Sequence, residues 1–298
     1  MDVVVFGAGS LGSLIGGLLA RRHEVTLVGR EPHVREVRER GLRIEGMLNE
    51  TVSPDAATEP PANADLAVVC VKAFDTDAAA SALSTCNLDA VLSLQNGMGN
   101  ESTLADRLDT TVLAGTCTYG AVLESPGTVR CTGVGRVVLG PRTGGGSERA
   151  TRVGEAFDAA GVVTTVADDM PRRLWEKLAV NAGINATTAL ARVENGALLD
   201  GEANRVARDA AREVAEAARA NGVELSDEAA EDALERVAAA TAANTSSMYQ
   251  DVLASRRTEV DAIGGYVVDS GEKYGVETPV NAAMVGLLRA WEAEHAER

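Results

Sequence analysis

The feature that most constrains the fold is six residues long and lies near the start of the chain. Gly7-Ala8-Gly9-Ser10-Leu11-Gly12 matches G-x-G-x-x-G and directly follows the β-branched run Val3-Val4-Val5-Phe6. From Ser10 to about Arg21 apolar residues recur at helical spacing, and Val25-Thr26-Leu27-Val28 reads as a second strand. The glycine pattern alone is a weak signal. Between a strand and a helix, in a βαβ unit, it is the dinucleotide fingerprint. Gly7 permits the tight turn, Gly9 lets backbone approach a pyrophosphate, and Gly12 allows the helix to pack closely on the sheet. Ala8, Ser10 and Leu11 complete the loop, and the helix start offers N–H groups and partial positive charge to phosphates. The competing reading, a glycine-rich turn with no ligand, does not account for this context.

The same alternation continues. Residues 66–71, 91–94 and 112–114 are short apolar runs separated by helical patterns. Continuous apolar strands joined through helices form a parallel sheet covered on both faces. Residues 116–122, 127–131 and 136–139 read as antiparallel strands extending that sheet, with Pro126-Gly127 and Gly133 as turns. The glycine-rich stretch 143–147 reads as a flexible connector. A helix near 148–160 and a strand near 162–166 close this region. After Asp168-Asp169-Met170-Pro171 the strand signal disappears, and one of the two aspartates can cap the next helix with Pro171 in its first turn. Helices are predicted at 171–190, 201–221, 227–243, 259–274 and 280–296. The expected fold class is therefore α/β: a Rossmann-type doubly wound sheet in residues 1–167, then an all-α domain in residues 168–298.

Charge narrows the function. The chain has 298 residues, 28 Lys+Arg against 44 Asp+Glu, and a formal net charge of −16. Such a surface repels phosphate backbones, so no nucleic-acid partner is expected. A hydrophobic fraction of 45% excludes global disorder. The opening residues carry no basic segment, and no apolar run approaches the ~20 residues that span a bilayer, so a cytoplasmic protein without a membrane partner is expected. Only Lys72, Lys177 and Lys273 are lysines; the other basic residues are arginines. Acid-rich, lysine-poor composition points to a salt-loving host, with a GC-rich genome as the competing cause. Cys70, Cys86, Cys117 and Cys131 form no C-x-x-C pair, and His23, His33 and His295 are scattered. Reduced thiols and no metal site are expected.

Several polar residues stand at strand ends or share a helix face. Arg30 is at the tip of the second strand, where an arginine would accept the 2′-phosphate of NADP; Glu31, one residue later, leaves NAD open. Lys72 follows the strand 66–71, and Asn96 in Gln95-Asn96-Gly97 follows 91–94, so both face the cofactor side of an open sheet. Lys177, Asn181 and Asn185 are spaced i, i+4, i+8 and share one helix face. An outer polar face is the alternative, but asparagine is a poor helix former beside the Glu and Arg used on the other helices. Ser247 and Glu259 would lie about 18 Å apart on one straight helix. If both serve one site, the chain must turn between them.

Together these residues resemble the ketopantoate reductase family. The resemblance spans nearly the whole chain: Gly7–Gly12, Val71-Lys72-Ala73, Gln95-Asn96-Gly97, Trp175-Glu176-Lys177 through Asn185, Ser247-Met248-Tyr249-Gln250-Asp251 and Arg257-Thr258-Glu259-Val260-Asp261. It implies NADPH-dependent reduction of 2-dehydropantoate to pantoate, in pantothenate and coenzyme A biosynthesis. It further implies Lys177 as the catalytic lysine with Glu259 as its acidic partner. Asn181, Asn185, Ser247 and Asn96 would be substrate contacts, Lys72 and Asn96 cofactor contacts, and the assembly a homodimer. Asp75 stands where the family often has Gln, a departure that puts any cofactor contact there in doubt. A sister 2-oxo acid or 3-hydroxy acid dehydrogenase, and a non-catalytic NADP-sensing protein, are the competing functions.

Overall fold

A computed structural model describes residues 1–296. The chain divides into two compact units: Met1–Gln95 with Asn100–Met170, and Asn96–Gly99 with the residues from Pro171 onward. In the first unit the elements run β1 (Asp2–Phe6), α1 (Ser10–Leu19), β2 (Glu24–Val28), α2 (His33–Arg40), β3 (Leu42–Gly46), β4 (Glu50–Val52), β5 (Asp55–Ala57), β6 (Asn63–Val69), α3 (Thr76–Leu83), β7 (Asn87–Ser93), α4 (Asn100–Arg107), β8 (Thr111–Cys117), β9 (Gly120–Ser125), β10 (Thr128–Gly133), β11 (Val137–Pro141), α5 (Glu148–Ala159) and β12 (Thr164–Val166).

The main sheet has eight strands in the order β12-β11-β8-β7-β6-β1-β2-β5. From β5 to β8 neighbouring strands are parallel. Numbered by their sequence within this sheet, those six strands follow the doubly wound order 3-2-1-4-5-6. The order reverses between β1 and β6, and the glycine loop leaves β1 at that point. A ligand of such a sheet lies outside the carboxyl ends of the strands there.

Part of the strand prediction is corrected. Only β11 extends the main sheet antiparallel to β8. β9 and β10 leave it and join a second sheet, ordered β4-β3-β10-β9. The reason lies in α1, whose residues from Gly12 to Leu19 are all buried. A helix apolar all round needs cover on two sides. A side chain at Gly16 would collide with Leu27 of the main sheet, and one at Gly17 would come within 2.8 Å of Leu42 and 3.0 Å of Ile44 in the second. The two glycines thin the helix where each sheet presses on it. β10 contributes the buried Val129 and Cys131 to the same core.

His33 ties these layers together. The Gly127 N–H donates to His33 Nδ1 at 3.0 Å, which leaves the ring proton on Nε2 to donate to the buried Ser13 hydroxyl at 3.0 Å. Burial holds the His33 pKa below its ordinary value of 6.5.

The second unit is helical: α6 (Met170–Asn181), α7 (Thr187–Ala191), α8 (Gly201–Ala220), α9 (Asp227–Ala240), α10 (Ser247–Leu253), α11 (Tyr266–Tyr274) and α12 (Pro279–His295). α8 carries an alanine face, including Ala207, Ala210, Ala211, Ala215 and Ala218, that lets neighbouring helices pack close. The predicted helix 171–190 is interrupted by a π turn at Ala182–Ala186, and that at 259–274 starts with a second π turn at Asp261–Gly265. α10 lies in a stretch where no helix was predicted. Among the described residues no helix is long and apolar enough to cross a membrane, and no cluster of His, Cys, Asp and Glu could hold a metal ion.

Candidate active site

The glycine loop is built by its own backbone. Gly7 and Ala8 both donate to the Val28 carbonyl at 2.9 Å, and Gly7 takes a φ of +103°, where a side chain would press on Val71. A side chain at Gly12 would drive into the Gly7 carbonyl. Gly9 differs: its φ is −86°, and a Cβ there would meet nothing within 4 Å. Neither strain nor packing explains this glycine, and the open space over it leaves room for close approach of a ligand. No side chain caps α1, and its first turn holds no acid, so the helix start keeps its attraction for an anion. Ser10 has a structural duty as well, its hydroxyl oxygen accepting the Leu123 N–H at 3.0 Å. Leu11 is half-buried against the core, and Gly29 passes closely beneath Ala8.

At the tip of β2 the two rival residues are disposed differently. Glu31 turns its carboxylate back to accept the Arg35 N–H at 3.2 Å near the start of α2. Arg30 is exposed, and no side-chain hydrogen bond or ion pair engages it among the described residues. At the end of β6, half-buried Lys72 precedes a 3-10 turn, Ala73–Asp75, and its carbonyl accepts the Asp75 N–H at 2.8 Å. A buried polar network holds that turn: Gln95 Nε2 donates to the Val71 carbonyl at 3.2 Å and to Thr76 Oγ1 at 2.7 Å, and Thr76 lies 2.9 Å from Asn100 Oδ1. The network joins the carboxyl ends of β6 and β7.

In the second unit, Lys177 and Asn181 are half-buried and Asn185 is 6% exposed, so the row is not an outer face. Spacing alone would not align it. At about 100° per residue, eight residues carry Asn185 about 80° past Lys177 on a continuous α-helix. The π turn inserts an extra residue and rewinds that drift, returning Asn185 toward the Lys177 line. Gly183 makes the turn fit, since a Cβ there would lie 2.7 Å from Leu234 and 2.8 Å from the Ala207 carbonyl.

Glu259, 6% exposed, stands just before the second π turn, which packs against the first. The loop after β7 docks on it. Gly97, with φ +79°, presses so closely on Ala262 that a Cβ would lie 2.6 Å from it, and Met98 N–H donates to the Ala262 carbonyl at 2.9 Å. This brings Asn96 Nδ2 to 3.5 Å from Glu259 Oε2. Ser247 is exposed at the first position of α10, whose cap is Ser246, and α10 packs on the π turn that carries Asn185. The chain turns after Leu253, with Ser255 at φ +51°, so Ser247 and Glu259 do not share a straight helix. Trp175 of α6 and Tyr266 of α11 meet with ring centroids 5.8 Å apart, coupling the helix that bears Lys177 to the one that follows the second π turn.

Sequence reading missed both π turns and Asn195. The Asn195 amide donates to Thr241 Oγ1 at 2.9 Å, while its Oδ1 is buried without a hydrogen-bond partner among the described residues. Gly183 inside an apolar helix and the Gly97-Met98-Gly99 alternation were the available signals.

Comparison with known proteins agrees across both units. The family profile described as Ketopantoate reductase PanE/ApbA matches residues 3–144, and its C-terminal counterpart matches 169–292. A 2-dehydropantoate 2-reductase of Halobacterium salinarum is 45% identical over 97% of this chain and 98% of its own length. The enzyme of the same name from Pyrococcus horikoshii is 36% identical, with 98% of each chain covered. A PanE/ApbA family ketopantoate reductase structure from Ralstonia eutropha superposes with a TM-score of 0.91 at 35% identity, covering 99% of both chains. A ternary structure of D-mandelate dehydrogenase with NADH and anilino(oxo)acetate superposes with a TM-score of 0.92 at 25% identity, covering 100% of both. With both family profiles matched and near-full-length relatives above 30% identity, the chain belongs to the ketopantoate reductase family of oxidoreductases.

Proposed function

We propose that this protein reduces 2-dehydropantoate to pantoate with NADPH, a step in pantothenate and coenzyme A biosynthesis. The observation that carries the reading is the Lys177–Asn181–Asn185 row, aligned by a π turn that packs against the one just after Glu259. Gly7 to Gly12 would hold the pyrophosphate at the start of α1, and Arg30 the 2′-phosphate, with Glu31 drawn away by the Arg35 N–H. Lys72 and Asn96 are the further cofactor contacts. A nicotinamide held beside this row would supply the hydride for the C2 carbonyl carbon. Lys177, protonated, donates a hydrogen bond to the carbonyl oxygen, stabilises the charge developing there and delivers the proton. Glu259 accepts a hydrogen bond from the substrate hydroxyl. Asn96, at 3.5 Å, orients that carboxylate and serves as a substrate contact. Asn181, Asn185 and Ser247 orient the carboxylate and ketone, so part of the rate comes from positioning.

Steady-state rates with 2-dehydropantoate and a panel of other 2-oxo acids, each with NADPH and NADH, test this reading. The highest kcat/KM is expected for 2-dehydropantoate with NADPH. A preference for aryl 2-oxo acids with NADH supports the second reading, a sister 2-oxo acid dehydrogenase, which the likeness to D-mandelate dehydrogenase favours. The acidic, lysine-poor composition is part of the proposal: the surface is adapted to concentrated salt.

A further inference from the structure

Glu259 stands on a bend held by a carboxylate from the last helix. Thr258, immediately before it, is 2% exposed. Its N–H donates to Glu292 Oε1 at 2.7 Å, and its hydroxyl donates to the same oxygen at 2.5 Å. The hydroxyl oxygen accepts the Val260 N–H at 3.2 Å. One carboxylate oxygen thus fixes Thr258, and Thr258 fixes the backbone on both sides of Glu259.

Other contacts on this bend act on different atoms: Asn96 Nδ2 lies 3.5 Å from Glu259 Oε2. Arg289, one turn before Glu292 on α12, pairs with Asp261 at 2.8 Å, but both are about half exposed, and pairs of that kind contribute little. Arg256 returns to Asp251 at 3.0 Å and braces the start of the bend, not Glu259. Among the described residues, Glu292 supplies the side chain that engages Thr258, through charge-assisted hydrogen bonds to this buried residue. α10 ends at Leu253 and the second π turn begins at Asp261, so Glu259 is tied to helical structure on one side only, its carbonyl accepting the Ile263 N–H at 3.1 Å.

We infer that Glu292 is a positioning residue for Glu259, acting through Thr258, and that it sets how well the 2-oxo acid is held for reduction. The inference rests on the substrate role proposed for Glu259. It is tested by kcat and KM for 2-dehydropantoate, NADPH affinity and Tm in Glu292→Ala, Glu292→Gln and Thr258→Val, with the first repeated in a Glu259→Ala background. Glu292→Ala and Thr258→Val are expected to lower kcat/KM by about tenfold or more, as small misplacements of a positioning group do, with NADPH affinity unchanged. Glu292→Gln keeps an oxygen that accepts from Thr258 and should stay within about threefold of the parent protein. Once Glu259 is absent, Glu292→Ala should cost less than about twofold more, because coupled residues are not additive. An equal loss in both backgrounds, or full activity of Glu292→Ala, overturns the inference while leaving Glu259 in place. Full activity of Glu259→Ala overturns the role of Glu259 and this inference with it. If Glu292→Ala does not accumulate folded, Thr258→Ser against Thr258→Val reads the same contact: serine should retain activity and valine lose it, and equal activity of the two overturns the inference.

Discussion

Single residues separate what the protein needs from what its ligand needs. Gly12 has no room for a methyl group, whereas Gly9 faces open space. Gly9→Ala is therefore expected to keep the parent Tm and weaken NADPH binding by about tenfold, while Gly12→Ala should destabilise the fold by about 1–3 kcal/mol through overpacking. Thermal melts and a fluorescence titration check both, and tight NADPH binding by Gly9→Ala would remove the pyrophosphate from this loop. Arg30→Ala should weaken NADPH and leave NADH affinity nearly unchanged; an equal effect on both cofactors would make Arg30 a bystander. His33 gives a pH signature. Its pKa is depressed in the fold, so the unfolded chain takes up the proton first as pH falls. The stability of the neutral ring is fully present above about 6.5 and declines below it. The urea midpoint of the parent should drop toward that of His33→Gln between pH 7.5 and 5; a constant difference between the two would contradict the neutral, doubly bonded ring.

At the scale of elements, the candidate site is shared between a regular helix, α6, which bears Lys177 and Asn181, and the π turn that follows it, which bears Asn185. A Cβ at Gly183 would press on Leu234 and the Ala207 carbonyl, but at Gly286, on the exposed face of α12, it would meet nothing. Gly183→Ala should cost about 1–3 kcal/mol and Gly286→Ala should gain about 0.5–1 kcal/mol, as measured by denaturant unfolding. The elements also show what was legible in the chain. β1–α1–β2 and the ends of β6 and β7 were readable because strand, loop and helix are contiguous and each glycine has a local reason. The second sheet was not, because Arg43 of β3 pairs with Thr128 of β10, far along the chain. Period-two alternation identifies a strand without naming its partner. Lys177, Asn181 and Asn185 could be chosen by residue type and spacing, whereas Glu259 stands out only through the family resemblance. The alignment of the first three was not legible, since a π turn differs from an α turn by one inserted residue and leaves only Gly183 as a trace.

Charge governs the whole molecule. A formal charge of −16 repels itself strongly at low ionic strength, and salt screens it as the Debye length falls from about 10 Å at 0.1 M to about 3 Å at 1 M. Tm should therefore rise steadily with KCl, by about 2–4 °C for each kcal/mol of repulsion relieved. A melting temperature indifferent to KCl between 0.1 and 3 M would show that the composition reflects codon usage and not adaptation to salt. Arginine at nearly every basic position makes Lys177 conspicuous, and the proposed chemistry depends on it. The most direct measurement is single-turnover oxidation of NADPH after mixing with 2-dehydropantoate, in the parent protein and in Lys177→Ala. Loss of general acid catalysis predicts a rate lower by about 10²–10⁴-fold with NADPH affinity unchanged. A Lys177→Ala protein that oxidises NADPH within a few-fold of the parent rate would contradict the assignment of that ammonium group to the reacting ketone.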